Sequence, residues 1–220
     1  MHYTWGKGLS YTGGDLGAVA TGDSVNTVQN FWNWRAERGP SAGDITQSFA
    51  ANAVYELPRF SNRNLLTRSV IGGWQLSSVF TAATGQALLL SQSSAISPSR
   101  PDYVGGDAIS GTYGSTLQYL APIAFARVPL NSVTGGTIRP GNVGNGAIRG
   151  PGRWNDDLSL GKNFRLFNER LAFQFRADAF NVFNHTNFTT VDTEITRGTF
   201  GRLLATAGAR VIQLNARLSW

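Results

Sequence analysis

The chain has no cysteine, so neither a disulfide framework nor a thiolate metal site is available to it. Lysine occurs only at Lys7 and Lys162, and histidine only at His2 and His185. No apolar run approaches the roughly 18 residues that a transmembrane helix needs. The net charge of +6 rests almost wholly on arginine and is not gathered into a polybasic block, so nucleic acid is not expected as a partner. Met1–Trp5 lacks a basic n-region and an apolar h-region, so an export signal is expected to lie outside this chain. What the chain does have is 26 glycines, 13 phenylalanines and 6 tryptophans, an all-β composition with large loops.

The last ten residues give the clearest pattern. Ile212, Leu214, Ala216, Leu218 and Trp220 fall on one face of an extended strand, and Gln213, Asn215, Arg217 and Ser219 on the other. A strand of about ten residues, apolar outside and polar inside and closed by an aromatic residue, suits an outer-membrane barrel. The alternation recurs upstream. It sets Phe49, Ala51, Ala53, Tyr55 and Leu57 against Ser48, Asn52 and Glu56 within Asp44–Leu57. Trp74, Leu76, Phe80 and Ala82 oppose Gln75, Ser77 and Thr81. Within Asp157–Leu166, Leu158, Leu160 and Phe164 oppose Asp157, Ser159 and Asn163, with Lys162 as the exception. In Leu171–Ala179, Phe173, Phe175 and Ala177 oppose Gln174, Arg176 and Asp178. Tyr3, Trp5, Leu9 and Tyr11 make a poorer first strand, broken at Gly6 and Gly8. Period two prevails at all of these places.

The expected connections alternate in length: long at 12–43, short at 58–69, very long at 87–152, tight at 167–170 and long at 184–208. Outer-membrane barrels carry short periplasmic turns at one end and long extracellular loops at the other. The long connections read as irregular, with Gly/Pro/Asn punctuation over 139–152. A loop of that length without periodicity is usually functional or mobile. Asn30-Phe31-Trp32-Asn33-Trp34 puts aromatics in the first of them, either to stack on a ligand or, the preferred reading, to pack against other loops.

Few residues suggest chemistry. His185 has no nucleophile motif beside it and reads as a rim residue, so an enzyme is not expected. Asp156 and Asp157, adjacent on a strand, point to opposite faces and make neither a carboxylate pair nor a metal site. Gly144-Asn145-Gly146 reads as a turn, because no helix pattern follows it as a phosphate loop would require. In Phe180–Phe188 the repeated Asn and Phe place amides and rings at a barrel rim, with turn geometry and an aromatic girdle preferred over substrate contact. No cofactor and no metal are expected.

Several motifs carry a family resemblance. Gly150-Pro151-Gly152 leading into Asp157–Phe164 resembles the third-from-last strand of TonB-dependent outer-membrane receptors. Phe175–Asn184 resembles their penultimate strand with its Asn-hydrophobic-Phe-Asn element. Gly72–Ser77, Thr84-Gly85-Gln86 and Glu56-Leu57-Pro58 are similar to the Oar-like subgroup. The resemblance implies a 22-strand barrel with an internal plug and a TonB-contacting segment. Residues 1–220 would then be the C-terminal portion, about six antiparallel strands with long extracellular loops, and the signal peptide, plug and other strands would lie outside it.

The intact protein would import a bulky solute across the outer membrane of a Gram-negative bacterium, with TonB engaged only through the plug region. Gln174, Arg176, Asp178, Gln213, Asn215 and Arg217 would line the lumen. Leu214, Leu218 and Trp220 would be read by the barrel-assembly machinery, and membrane lipid and lipopolysaccharide would surround the barrel. Two other readings remain at this point: a structural or adhesive barrel without active transport, and a soluble all-β carbohydrate-binding module.

Overall fold

The computed structural model describes residues 1–11, 28–58, 72–95, 99–166 and 171–220. Six strands form one antiparallel sheet: β1 (His2–Trp5), β4 (Gln47–Glu56), β5 (Trp74–Ala83), β10 (Arg153–Leu166), β11 (Leu171–Phe180) and β14 (Val211–Ser219), paired in that order. Every strand pairs with the next long strand along the chain, so the sheet is a meander. It does not close on itself. The expected all-β fold of about six antiparallel strands is therefore present. Helix is confined, among the described residues, to α1 (Trp34–Glu37), α2 (Tyr113–Thr116) and one 3-10 turn at Pro122–Ala124.

The register shows which side chains share a face. Tyr55, Leu76, Leu160, Ala177 and Leu214 form one cross-strand row, and Phe49, Ala82 and Trp154 another on the same side. Phe80, Phe173, Phe175 and Leu218 share that face, because residues two apart on a strand point the same way. No second sheet covers it among the described residues. Tyr55 is 60% exposed and Leu214 67%. A soluble sandwich would put these side chains in a dry core, so the soluble-module reading is overturned.

Aromatic rings on this face gather into two bands. At one end Phe49, Phe80, Trp154 and Phe183 follow each other with centroids 6.1, 6.2 and 5.8 Å apart. At the other end Trp74 meets Phe164 and Phe175 at 6.5 and 6.2 Å, and Phe164 meets Phe173 at 5.8 Å. From Trp154 to Phe164, a rise of ~3.3 Å per residue and a tilt of about 40° give a height of about 25 Å, the depth of an outer-membrane apolar band. Lys162, the exception to the alternation, lies on this face with its ammonium 4.8 Å from the Phe164 ring centre and 5.4 Å from that of Trp74. The ring faces carry negative potential that a cation favours, and the lysine stem fills apolar space. Asp156, also on this side, accepts a 2.7 Å hydrogen bond from the Ser78 hydroxyl.

Three sequence expectations about strand extent change. The first strand ends at Trp5, and Leu9–Ser10 forms a separate strand β2 that pairs with β3 (Gly39–Pro40). Asp44 lies outside β4, because its carboxylate is taken up by the Gly8 amide at 2.5 Å and by the Arg149 guanidinium. Strand β10 starts earlier than expected, at Arg153.

The long connections differ most from expectation. They are not loose: they hold the buried core of the molecule. Leu90, Tyr119, Leu120, Ala124, Phe125 and Val143 from the β5–β10 connection pack with Val191, Ile195, Phe200 and Leu203 from the β11–β14 connection. Short strands tie this cap together: β6 (Ala87–Leu88) with β9 (Ile148–Arg149), β7 (Asp102–Tyr103) with β8 (Phe125–Ala126), and β12 (Phe188–Val191) with β13 (Leu203–Thr206). Close backbone crossings need glycine here. A Cβ on Gly85 would stand 1.8 Å from the Gly150 carbonyl oxygen, so the Thr84-Gly85-Gln86 and Gly150-Pro151-Gly152 motifs meet where the cap joins the sheet. The alternation of long and short connections holds, although the segments at 58–69 (from 59), 167–170 and much of 12–43 lie outside the described residues.

Candidate functional site

Two surfaces offer chemistry: the polar face of the sheet and the cap at one end of it. On the polar face, Asp178 stands between three strands. It accepts from the Ser159 hydroxyl of β10, from Arg176 Nε on its own strand at 2.8 Å, and from Asn215 Nδ2 of β14 at 3.4 Å. Arg176 also donates to Ser159 Oγ at 3.1 Å, and Gln213 donates to Asn215 at 3.3 Å. The carboxylate is thereby paired and hydrogen-bonded, which offsets the cost of holding a charge against the sheet. Period-two spacing thus brings Arg176, Asp178, Gln213 and Asn215 into one network. Gln174 and Arg217 occupy the adjoining register pair on the same face. Ser159, Asn155 and Asp157 belong to this surface too, with Asn155 donating to Asp157 at 2.7 Å. The alternation was the signal for them, but they were not singled out.

Leu214 and Leu218 lie on the opposite, apolar face, and Trp220 follows β14 with 94% of its surface exposed. Asp156 and Asp157 do point to opposite faces. Asp157 accepts from the Asn181 amide at 2.9 Å.

The Asn/Phe segment after β11 is built as a turn. Asn181 and Asn184 both take positive φ, 52° each. The Asn181 side chain accepts from the His185 amide at 2.9 Å and donates to the His185 carbonyl at 3.0 Å. Asn187 brackets the Trp154 backbone through both its amide atoms. His185 stacks on Trp154 with centroids 4.3 Å apart, so it extends the aromatic band. Gly144-Asn145-Gly146 is likewise a turn element: Asn145 donates to the Glu37 carbonyl at 3.0 Å, and Gly146 has φ +58°.

The cap is fastened by ions and amides that no sequence period reveals. Arg100 grips Glu37 with two nitrogens, at 2.8 and 3.1 Å, and both side chains are buried. Gln29 receives the Arg100 amide at 2.9 Å and donates to the Gly141 carbonyl at 2.9 Å. These contacts bind the β1–β4 connection to the β5–β10 connection. Glu194 binds the β11–β14 connection in turn, accepting from Ser91, Ser93 and Thr196. Burial pushes the Glu194 carboxyl up, but those donors together hold it below its usual range. The Arg139 guanidinium, at 2.6 and 2.9 Å, holds Asp102 low against the opposing effect of burial. Asp44 is raised by burial and drawn below the usual range by the Gly8 amide and by Arg149. Burial, with Tyr113 nearby, pushes the Tyr119 phenol up to about 12.

The aromatics of residues 30–34 do not pack into this cap as preferred. Trp34 meets Tyr11 and Phe31 edge-on, while Trp32 is 97% exposed.

A family model described as an outer membrane beta barrel domain matches residues 1–213. Neither a curated protein nor a solved structure matches the chain. The family match agrees with an open meander of six strands, an apolar face bounded by two aromatic bands and a polar face opposite. The chain belongs to the outer membrane β-barrel domain family and resides in the outer membrane of a Gram-negative bacterium.

Proposed function

We propose that the chain is the C-terminal part of the barrel of an Oar-like TonB-dependent receptor, importing a bulky solute and acting as a carrier rather than as an enzyme. One observation carries the reading: a hydrogen-bonded polar wall joins three strands opposite the two aromatic bands, and a folded cap stands at one end of that wall. Gln174, Arg176, Asp178, Gln213, Asn215 and Arg217 line the interior in this reading and meet the plug or the solute. The motifs at 150–164 and 175–184 support the receptor family, and those at 56–58, 72–77 and 84–86 support the Oar-like subgroup. Lipid and lipopolysaccharide surround the apolar face, TonB engages through the plug, and the assembly machinery reads Leu214, Leu218 and Trp220.

The test is growth-dependent solute uptake by the complete receptor, with and without TonB and with Arg176→Ala/Asp178→Ala. Uptake that needs TonB and falls in the double variant at unchanged barrel level is the expected result. An equally abundant barrel with no TonB-dependent uptake of any supplied solute favours the structural or adhesive reading. The exposed Phe31 and Trp32 rings are the feature that reading would draw on.

A further inference from the structure

We propose that the surface around Trp34 is a binding site for an acidic saccharide. Tyr11, Trp34, Arg35 and Arg38 line a single recess. Trp34 is braced edge-on by Tyr11 at 5.9 Å and by Phe31 at 6.4 Å, and Trp32 stands beside it almost wholly in solvent. Large aromatic rings left in water are unfavourable by their area, so this grouping stands out against a cap that buries Tyr119, Phe125 and Phe200.

The platform is held firmly from behind. Glu37, at the end of the same short helix α1, is 1% exposed and clamped by Arg100, while Asn145 holds its carbonyl. Asn30 accepts from the Trp32 amide at 3.0 Å, and Asn33 caps α1 by accepting from the Ala36 amide. Little ordering is then left for binding to impose on the backbone.

The two residue types specify the ligand. Aromatic faces carry negative potential and suit the C–H faces of sugar rings. Guanidinium groups on Arg35 and Arg38 fit carboxylate or phosphate bidentately. A neutral sugar would leave the arginines unused, and a bare anion would leave the rings unused. The shared chemistry is a sugar bearing carboxylate or phosphate, whether from a free acidic polymer or from the core of lipopolysaccharide.

The proposal rests on the cap being extracellular, as in the receptor reading, and the two can fail separately. The complete barrel carrying this chain, purified in detergent, is titrated by calorimetry with polygalacturonate, with neutral dextran of equal length, and with rough lipopolysaccharide before and after removal of its core phosphates. Binding of polygalacturonate assigns a free acidic polymer, and phosphate-dependent binding of lipopolysaccharide assigns the membrane's own saccharide. In either case Trp34→Ala should weaken binding about tenfold, Arg35→Gln/Arg38→Gln should weaken it by at least as much, and dextran should not bind. Binding of neither acidic probe, or binding untouched by variants that keep the native strand circular dichroism, overturns the site. In intact cells, Trp32→Cys in this cysteine-free chain should react with a membrane-impermeant maleimide. Failure to react while the detergent titration succeeds overturns the extracellular placement and leaves the site standing.

Discussion

At the scale of the residue, the most consequential pair is Glu37 with Arg100. Both are buried, and Arg100 also donates to the Val143 carbonyl at 2.8 Å. Removing one partner strands a charge away from water, a loss of about 3–5 kcal/mol. Glu37→Ala should therefore loosen the cap by about that amount, seen as protease cleavage between the β1–β4 and β5–β10 connections in the assembled barrel. Replacing both with apolar residues of similar volume should recover much of the loss, because no charge is then left alone. A cap equally resistant in Glu37→Ala would show that the apolar core alone secures it. Nothing in the sequence pointed to this pair. Its members lie far apart along the chain, and an arginine among 19 basic residues carries no mark of its partner. Asp178 was legible for the opposite reason: its partners on β10, β11 and β14 all follow from strand register.

At the scale of the element, strands and cap should respond differently to acid. Asp44, Asp102 and Glu194 all have carboxyls held below their ordinary values. A depressed folded-state pKa adds stability above the unfolded value, near 3.8 for aspartate and 4.5 for glutamate, and loses it as pH falls through the folded value. The cap should thus be fully formed from neutral pH to about 5 and loosen progressively below 4, while the sheet persists. Hydrogen exchange at pH 7 and pH 3 would show this as lost protection at Ser91, Asn142 and Ile195 with protection kept along β10 and β11. Simultaneous loss in both would mean that the cap is not a separate unit.

The last strand makes a second prediction. Trp220→Ala in the complete protein should lower the amount of barrel in the outer membrane; unchanged levels would leave Trp220 as an interfacial side chain only. All six strands were legible because each repeats at period two over most of its length. The cap was not legible, because its strands are two to four residues long and its core draws single apolar residues from two distant connections. The same irregularity that marks a loop in sequence here hides a folded unit.

At the scale of the whole molecule, the sheet is open at β1 and β14. Backbone groups left without partners in hydrocarbon are unfavourable by several kcal/mol each, and single-chain bacterial barrels start at eight strands. Residues 1–220 expressed alone with an added signal peptide should therefore give no stable, monomeric, conducting species in planar bilayers. The appearance of one would overturn the reading of the chain as part of a larger barrel.

The shared core of the cap bears on the order of assembly. Leu90, Leu120 and Phe125 are synthesised well before Val191, Phe200 and Leu203, the side chains that shield them from water. Whatever the order in which the strands assemble, the β5–β10 connection therefore stays incompletely covered until the β11–β14 connection is seated against it. A resistant cap therefore certifies that both connections are in place, and a complete barrel in which residues 188–206 are replaced by a short turn should keep its sheet, last strand included, while leaving the cap open to digestion. Proteases that reach the cap would in this way distinguish finished barrels from incomplete ones.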